Sequence, residues 1–336
     1  MNVQYKLDDR RIQKYVELPA PRDAVIRLEK NITAKTREIV QYILKGKDQR
    51  LAVFVGPCSI HSERSAIEFA IKLKELQKEL PNLLLIMRFF VQKPRTTIGW
   101  TGFLEDPDMN GKCDIARGLE RTIRLAHNIV EKIEQPICME LLGATIEPQY
   151  FNNYITTGFI GARTSESQIH RNLASGVSFP IGIKNPSDGD VKVALQGVIA
   201  SRTPRSFCGI NTDGRICAVH TMGNEDAFVV LRGSYKNGSN IDKGLKLLEK
   251  ESVAVVVDCC HGNSNKDLKK EYENALVASK YPRVRGIMIE SHLLPGNQPA
   301  APHAHPDISV TDPCLGWKDT AKLLHEVNYI VSKRMK

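Results

Sequence analysis

LAVFVGPC, residues 51–58, sets five apolar positions in a row and then closes on glycine, proline and a thiol. A run this short, apolar on both faces, suits a strand buried on both sides of a parallel sheet, since a strand with one wet face would alternate. Seven further runs repeat the pattern: LLLIM (83–87), ICM (137–139), FIGA (159–162), PIGI (180–183), FVVL (228–231), VAVVV (253–257) and GIMI (286–289). The segments between them have helical periodicity. In DIARGLERTIRLAHNIVEKI (114–133), Ile115, Leu119, Ile123, Ile129 and Ile133 line one face over about five turns, and Ile67, Leu73, Leu76 and Leu80 form a similar stripe. Strand alternating with helix eight times predicts a (β/α)8 TIM barrel, with a doubly wound open sheet as the alternative that the pattern leaves standing.

The residues just beyond each run favour the barrel. They are Cys58, then Arg88 and Lys93, then Glu140, Arg163, Lys184, Arg232, His261 and Glu290, so every run delivers an ionisable or metal-ligating group. In a barrel all eight strand ends open on one face, which gathers these side chains into one basin. Residues 1–50 precede the first run as an N-terminal extension with a helix-like stretch near 22–45. Within the barrel at 51–336, a hairpin is inserted at about 205–222, turning at Thr212-Asp213-Gly214. Regulation or assembly is the expected use of both additions.

Composition narrows the partners. The chain has 336 residues, 42% of them hydrophobic, enough for a large core. Its 47 Lys+Arg exceed its 38 Asp+Glu by nine, a balance open to nucleic acid, a membrane surface or phosphorylated small molecules. No basic run is interleaved with aromatics and the aromatic fraction is 6%, which argues against nucleic acid. The start MNVQYKLDDRRIQKY has no apolar signal core and no apolar stretch is long enough to span a bilayer, so no membrane partner and a cytoplasmic location are expected. Eight irregularly spaced cysteines form neither a zinc ribbon nor a disulfide scaffold.

Arg88, Lys93, Arg163, Lys184 and Arg232 exceed what one small carboxylate needs, and together they imply a polyanion, although any one alone reads equally well as half of a structural ion pair. KPRTT (93–97) offers guanidinium, ammonium and hydroxyl donors within five residues, a cradle for a terminal phosphate. Cys58, His261, Glu290 and Asp312 supply one sulfur, one nitrogen and two carboxylates, a mixed set suited to a divalent Mn, Fe, Co or Zn ion. Taken singly, Cys58 reads as an inert buried thiol and His261 as structural.

The motifs GPCSIH (56–61), KPRTTIGW (93–100), GARTSESQIHRNLASG (161–176), VLRG (230–233), CHGNSNK (260–266), ESHLLPGNQ (290–298) and TDPCLGW (311–317) resemble those of the type I 3-deoxy-D-arabino-heptulosonate 7-phosphate (DAHP) synthases, in the branch of feedback-inhibited bacterial and fungal enzymes. The resemblance implies a TIM-barrel enzyme that condenses phosphoenolpyruvate with erythrose 4-phosphate and releases phosphate, the first step of the shikimate pathway to aromatic amino acids. It assigns Cys58, His261, Glu290 and Asp312 to the metal, Arg88, Lys93, Arg163, Lys184 and Arg232 to phosphoenolpyruvate, and Arg95 and Thr96 to the sugar phosphate. Glu140 falls near phosphoenolpyruvate, and Lys93 is the expected proton donor, its pKa lowered by the surrounding cations. Asp8, Asp9, Ser178, Phe207 and Gly209 would line an aromatic amino-acid effector site, with Gly209 favouring Tyr over Phe by leaving room for the phenol hydroxyl. A homodimer or homotetramer is implied. The chain departs from the family pattern at KNPSDG (184–189), ELLG (140–143), QKPRTT (92–97) and DCCH (258–261). Those departures keep two alternatives in view, a paralogue using another aldose phosphate and a non-catalytic barrel that binds an aromatic amino acid.

Overall fold

The computed structural model describes residues 11–143 and 147–334. The strands are β1 (Leu51–Gly56), β2 (Leu83–Arg88), β3 (Ile137–Glu140), β4 (Ile155–Ile160), β5 (Ile181–Lys184), β6 (Ser206–Ile210), β7 (Ile216–His220), β8 (Ala227–Gly233), β9 (Val255–Cys260), β10 (Val284–His292) and β11 (Leu315–Gly316). Eight of them run parallel in the order β1-β2-β3-β4-β5-β8-β9-β10. β10 then pairs back onto β1 from Ala52↔Gly286 to Gly56↔Glu290, which closes a (β/α)8 barrel and rules out the open sheet. β11 pairs with the end of β10.

The helices are α1 (Pro21–Ala24), α2 (Ile32–Leu44), α3 (Glu63–Gln77), α4 (Ile115–His127), α5 (Glu147–Phe151), α6 (Gln168–Ala174), α7 (Val191–Arg202), α8 (Ile241–Leu247), α9 (His261–Ser264), α10 (Leu268–Ala278) and α11 (Trp317–Arg334). Several begin on a side-chain cap: Ser62, Asp114, Asp190 and Asp267 each accept a backbone N–H from the first turn of α3, α4, α7 and α10. The long stripe read over 114–133 is α4 continued by a π turn at Asn128–Lys132. Leu119, Ile123 and Ile129 are buried, but Ile115 stands at the helix start and is 43% exposed, outside the stripe. Among the described residues, no helix is long and apolar enough to cross a membrane.

Two apolar layers hold the barrel. The outer layer lies between strands and helices; the inner one fills the barrel with Phe54, Ile86, Phe90, Phe159, Phe228, Val230 and Met288. The inner layer also takes in Val40, Ile43 and Leu44 of α2, so the N-terminal extension packs its apolar face onto the barrel interior. The helix-like stretch at 22–45 is two pieces, α1 and α2, rather than one. Phe159 sits at the centre of the inner layer, edge-on to Phe54 at 4.9 Å and to Phe228 at 6.0 Å. Phe159→Ala should therefore lower stability by about 3–5 kcal/mol. Urea unfolding checks this, and an unchanged midpoint would contradict the packing described.

The inserted hairpin is antiparallel, from Ser206↔His220 to Ile210↔Ile216. Asn211 Oδ1 accepts the N–H groups of Asp213 and Arg215, and Gly214 takes φ +74°, which glycine adopts without penalty. Arg22 of α1 ties the tip down, donating its backbone N–H to Thr212 O at 2.9 Å and its guanidinium to Asp213 at 2.8 Å. The two additions to the barrel thus touch each other.

Candidate functional site

At the carboxyl ends of the strands a cavity of about 450 Å³ opens. The loops after β2, β4, β8 and β9 and the segment before β11 supply its wall, with Glu140, Lys184 and Arg232 from the ends of β3, β5 and β8. Among the described residues, the lining holds six Lys or Arg side chains (Lys93, Arg95, Arg163, Lys184, Arg232, Lys266) against two carboxylates, Glu140 and Asp312. That excess calls for an anion.

Beneath this wall lies the ligand cluster. Cys58 Sγ and carboxylate oxygens of Glu290 and Asp312 all fall within 4.8 Å of one another. His261, the fourth expected member, stands beside them: its Nε2 is 3.6 Å from Glu290 Oε1, and its backbone takes φ +42° to bring it there. Three of the four expected residues therefore converge within one sphere, and the fourth reaches it through Glu290. The donor set, one soft sulfur with nitrogen and carboxylate oxygen, fits a borderline divalent ion.

Gly56, two residues before Cys58, lets the end of β1 lie close against Arg88. Its φ is +152°, and a Cβ there would come within 3.1 Å of the backbone nitrogen of Arg88. Burial pushes the Cys58 thiol up to about 11, with the charge of Glu290 adding to the effect and Lys93 opposing it. Lys93 Nζ donates to Cys58 Sγ at 3.1 Å and to Cys58 O at 3.3 Å. Burial pushes against charge at Asp312 too, but Lys93, together with Lys266 hydrogen-bonded at 2.8 Å, brings its carboxyl down to about 2.

The lowered pKa expected for Lys93 is not what the site produces. Burial does work against its charge, yet Cys58, Glu290, Asp312 and Glu140 outweigh burial and raise the pKa above the ordinary lysine value. The nearest groups are acidic rather than cationic, so Lys93 is held protonated.

Arg88 is fully buried and lies under the cluster rather than on the cavity wall. It donates to Glu290 Oε1 at 2.9 Å and stacks over Phe90 at 4.0 Å. Arg163 is exposed at the rim, where it donates to Thr96 Oγ1 at 3.3 Å beside exposed Arg95. Arg232 is 3% exposed, its backbone N–H held by Asn185 Oδ1 at 2.8 Å and its guanidinium over the Tyr235 ring at 4.8 Å. Its Nη1 is buried with no hydrogen-bond partner in the protein. A buried cationic donor without an acceptor is costly, which marks it as waiting for an anion.

Four participants escaped the sequence reading. Lys266 and Tyr235 line the cavity, Lys266 from a left-handed turn at φ +62°. Asp258 pairs with both Lys184 and His261. Glu271, on α10, accepts the backbone N–H of Glu290 at 2.6 Å and the Cys260 thiol at 2.9 Å. Burial, then the charge of Glu290, raises the Glu271 pKa well above its ordinary value. Pro186, one of the departures, offers its carbonyl to Asn185 Nδ2 at 2.8 Å and to the Gly189 N–H at 3.0 Å.

Of the expected effector residues, Asp8 and Asp9 lie outside the described residues. Ser178 is exposed, in a turn tied to the hairpin foot by Ser175 Oγ and Thr221 Oγ1 at 2.7 Å. Phe207 and Gly209 alternate onto one face of β6, and a Cβ at 209 would lie 2.9 Å from Val219.

A model of the DAHP synthetase I family matches residues 26–325. The tyrosine-inhibited phospho-2-dehydro-3-deoxyheptonate aldolase of Candida albicans is 38% identical, over 97% of this chain and 95% of its own. The Phe-sensitive enzyme of Escherichia coli is 38% identical over 98% of this chain and 99% of its own. A solved phospho-2-dehydro-3-deoxyheptonate aldolase from Francisella tularensis superposes with a TM-score of 0.91 at 38% identity, covering 96% of this chain and 99% of that one.

Proposed function

Because this chain belongs to the DAHP synthetase I family, we propose that its carboxyl-end cavity is where phosphoenolpyruvate condenses with erythrose 4-phosphate and phosphate departs. The chain is a 3-deoxy-7-phosphoheptulonate synthase, as its relatives are. One observation carries the assignment of the site: a thiol and two carboxylates within 4.8 Å of one another, under a wall bearing six Lys or Arg side chains.

In this reading Cys58, His261, Glu290 and Asp312 hold a divalent Mn, Fe, Co or Zn ion, which supplies Lewis acidity for the aldehyde oxygen of the sugar phosphate. Lys93, Arg163, Lys184 and Arg232 bind the phosphate and carboxylate of phosphoenolpyruvate. Arg88 supports them from below through Glu290. Arg95 and Thr96, exposed at the rim, take the phosphate of the aldose. C3 of phosphoenolpyruvate attacks the aldehyde carbon, water adds at C2, and the hemiketal phosphate loses phosphate by C–O cleavage. The cation set stabilises the anionic charge that accumulates. Lys93, protonated beside Cys58, donates a proton to the new alkoxide, and buried Glu140 orients the attacking water.

The test is phosphate release from phosphoenolpyruvate with erythrose 4-phosphate or arabinose 5-phosphate, with and without chelator. Turnover with erythrose 4-phosphate, lost on chelation and restored by metal, is expected. Turnover with arabinose 5-phosphate instead would establish the paralogue reading, and none with either aldehyde would leave the silent barrel.

The site of Ser178, Phe207 and Gly209 is assigned to an aromatic amino acid, Tyr before Phe. Support for an aromatic effector comes from relatives named as tyrosine- or phenylalanine-inhibited, and the Tyr preference rests on the family resemblance at Gly209, beside which Val219 fills the space a Cβ would take. Inhibition of the same assay by L-Tyr at lower concentration than L-Phe is expected; the reverse order would overturn the preference. A homodimer or homotetramer, implied by the family resemblance, is the state that light scattering is expected to find; a monomer would overturn it.

A further inference from the structure

Asp258 is fully buried at the end of β9, between the ligand cluster and the anion wall. Its Oδ2 accepts from Lys184 Nζ at 2.8 Å and lies 2.9 Å from His261 Nδ1. Its Oδ1 lies 3.0 Å from the same Nδ1 and accepts the backbone N–H of Cys260 at 3.1 Å. Asn263 Nδ2 fastens the Asp258 carbonyl at 2.7 Å, and the same amide nitrogen reaches Leu231 O of β8 at 3.0 Å. A carboxylate with no exposure is tolerated because the Lys184 ammonium, the His261 Nδ1 and the Cys260 N–H share it.

The arrangement has a direction. With Nδ1–H aimed at Asp258, the free lone pair of His261 is on Nε2, the nitrogen that faces Glu290. Asp258, Cys260 and His261 also place ligand atoms within 4.8 Å of one another. They are a support rather than a second ion site, since Asp258 is already occupied by three donors and the Cys260 thiol donates to Glu271.

We propose that Asp258 is a positioning residue that couples the metal subsite to the anion subsite, aiming His261 Nε2 at the ion while holding the Lys184 ammonium toward phosphoenolpyruvate. This rests on the metal and substrate assignments made above. Charge drawn from the imidazole at Nε2 makes Nδ1–H a stronger donor and pulls the shared carboxylate toward His261. More of the Lys184 charge is then left for the anion. By linkage the anion must tighten the ion by the same factor.

The test is equilibrium dialysis of Cd²⁺ against the full chain, with and without phosphoenolpyruvate, for the wild type, Asp258→Asn and Cys58→Ala. Wild type should bind Cd²⁺ more tightly when phosphoenolpyruvate is present. Asp258→Asn should weaken Cd²⁺ by about 10–100-fold and flatten the effect of phosphoenolpyruvate. An Asp258→Asn protein that keeps Cd²⁺ affinity within about twofold, or keeps the full effect of phosphoenolpyruvate, overturns the coupling and leaves the metal assignment standing. Failure of the wild type to bind Cd²⁺, or undiminished binding by Cys58→Ala, overturns the metal assignment and the coupling with it. Should Asp258→Asn not fold by circular dichroism, nitrogen NMR of ¹⁵N-histidine-labelled, ¹¹³Cd-loaded wild type decides. Coupling from cadmium to His261 Nε2 with a protonated Nδ1 is expected, and ligation through Nδ1 overturns the proposal.

Discussion

Cys58→Ala should abolish turnover while leaving the barrel folded. Loss of a residue that merely supports a ligand costs roughly 10–100-fold in metal affinity or activity, so loss of the sulfur itself should exceed that range. The fold should lose only about 1 kcal/mol, because one small buried side chain is trimmed and no other residue depends on it for a ladder bond. The signature is a chelator-insensitive, inactive protein whose melting temperature falls by a few degrees. A second expectation concerns pH. Burial holds the thiol up at about 11, so at neutral pH an incoming ion must displace its proton. Protons compete less as pH rises, so ion binding tightens by about tenfold per pH unit while the thiol remains protonated in the free protein. Cys58→Ala should reduce that slope by about one proton. Retained activity in the variant, or an unchanged slope, would remove Cys58 from the ligand set.

The sequence carried much of this because a parallel barrel leaves two plain marks. Strands buried on both faces become short apolar runs, and function collects just past each run, so reading the first ionisable residue beyond it located Cys58, Glu140, Lys184, Arg232 and Glu290 at their strand ends. The reading was weakest where a strand departs from that composition. β4 begins at Ile155, ahead of the run placed at 159–162, because Thr156, Thr157 and Gly158 interrupt the apolar pattern although they are buried in the strand. Asp258 shows the rule misapplied rather than failing: it is the first ionisable residue after the run at 253–257, but the reading passes over it to His261 because a lone buried acid carries no sign of which cations it will meet. Lys266 and Tyr235 reach the cavity through turns whose course depends on left-handed residues, and Glu271 reaches Glu290 from a helix nineteen positions earlier. The pKa of Lys93 was misjudged for a related reason: sequence showed its cationic company in the basin, whereas distance shows that Cys58 is its near neighbour.

Arg232→Met should separate function from stability. The arginine Nη1 is buried and has no partner in the protein, so the substrate-free fold bears a desolvated donor with nothing to accept from it. Methionine keeps an unbranched stem and removes the unsatisfied Nη1 donor. Thermal stability without substrate should therefore be unchanged or higher. Catalysis should move the other way. Removing one preorganised donor to developing negative charge costs on the order of 10²–10³-fold in turnover, and a single missing charge-assisted bond in the ground state raises KM for phosphoenolpyruvate as well. The contrast with Asp258 is instructive, since that carboxylate satisfies Lys184 and His261 within the fold and its loss should weaken structure and binding together. Paired measurements of melting temperature and of kcat/KM for phosphoenolpyruvate decide the case for Arg232. A fall in both would make its guanidinium a structural tie to Tyr235, and retained kcat/KM would remove it from the anion site.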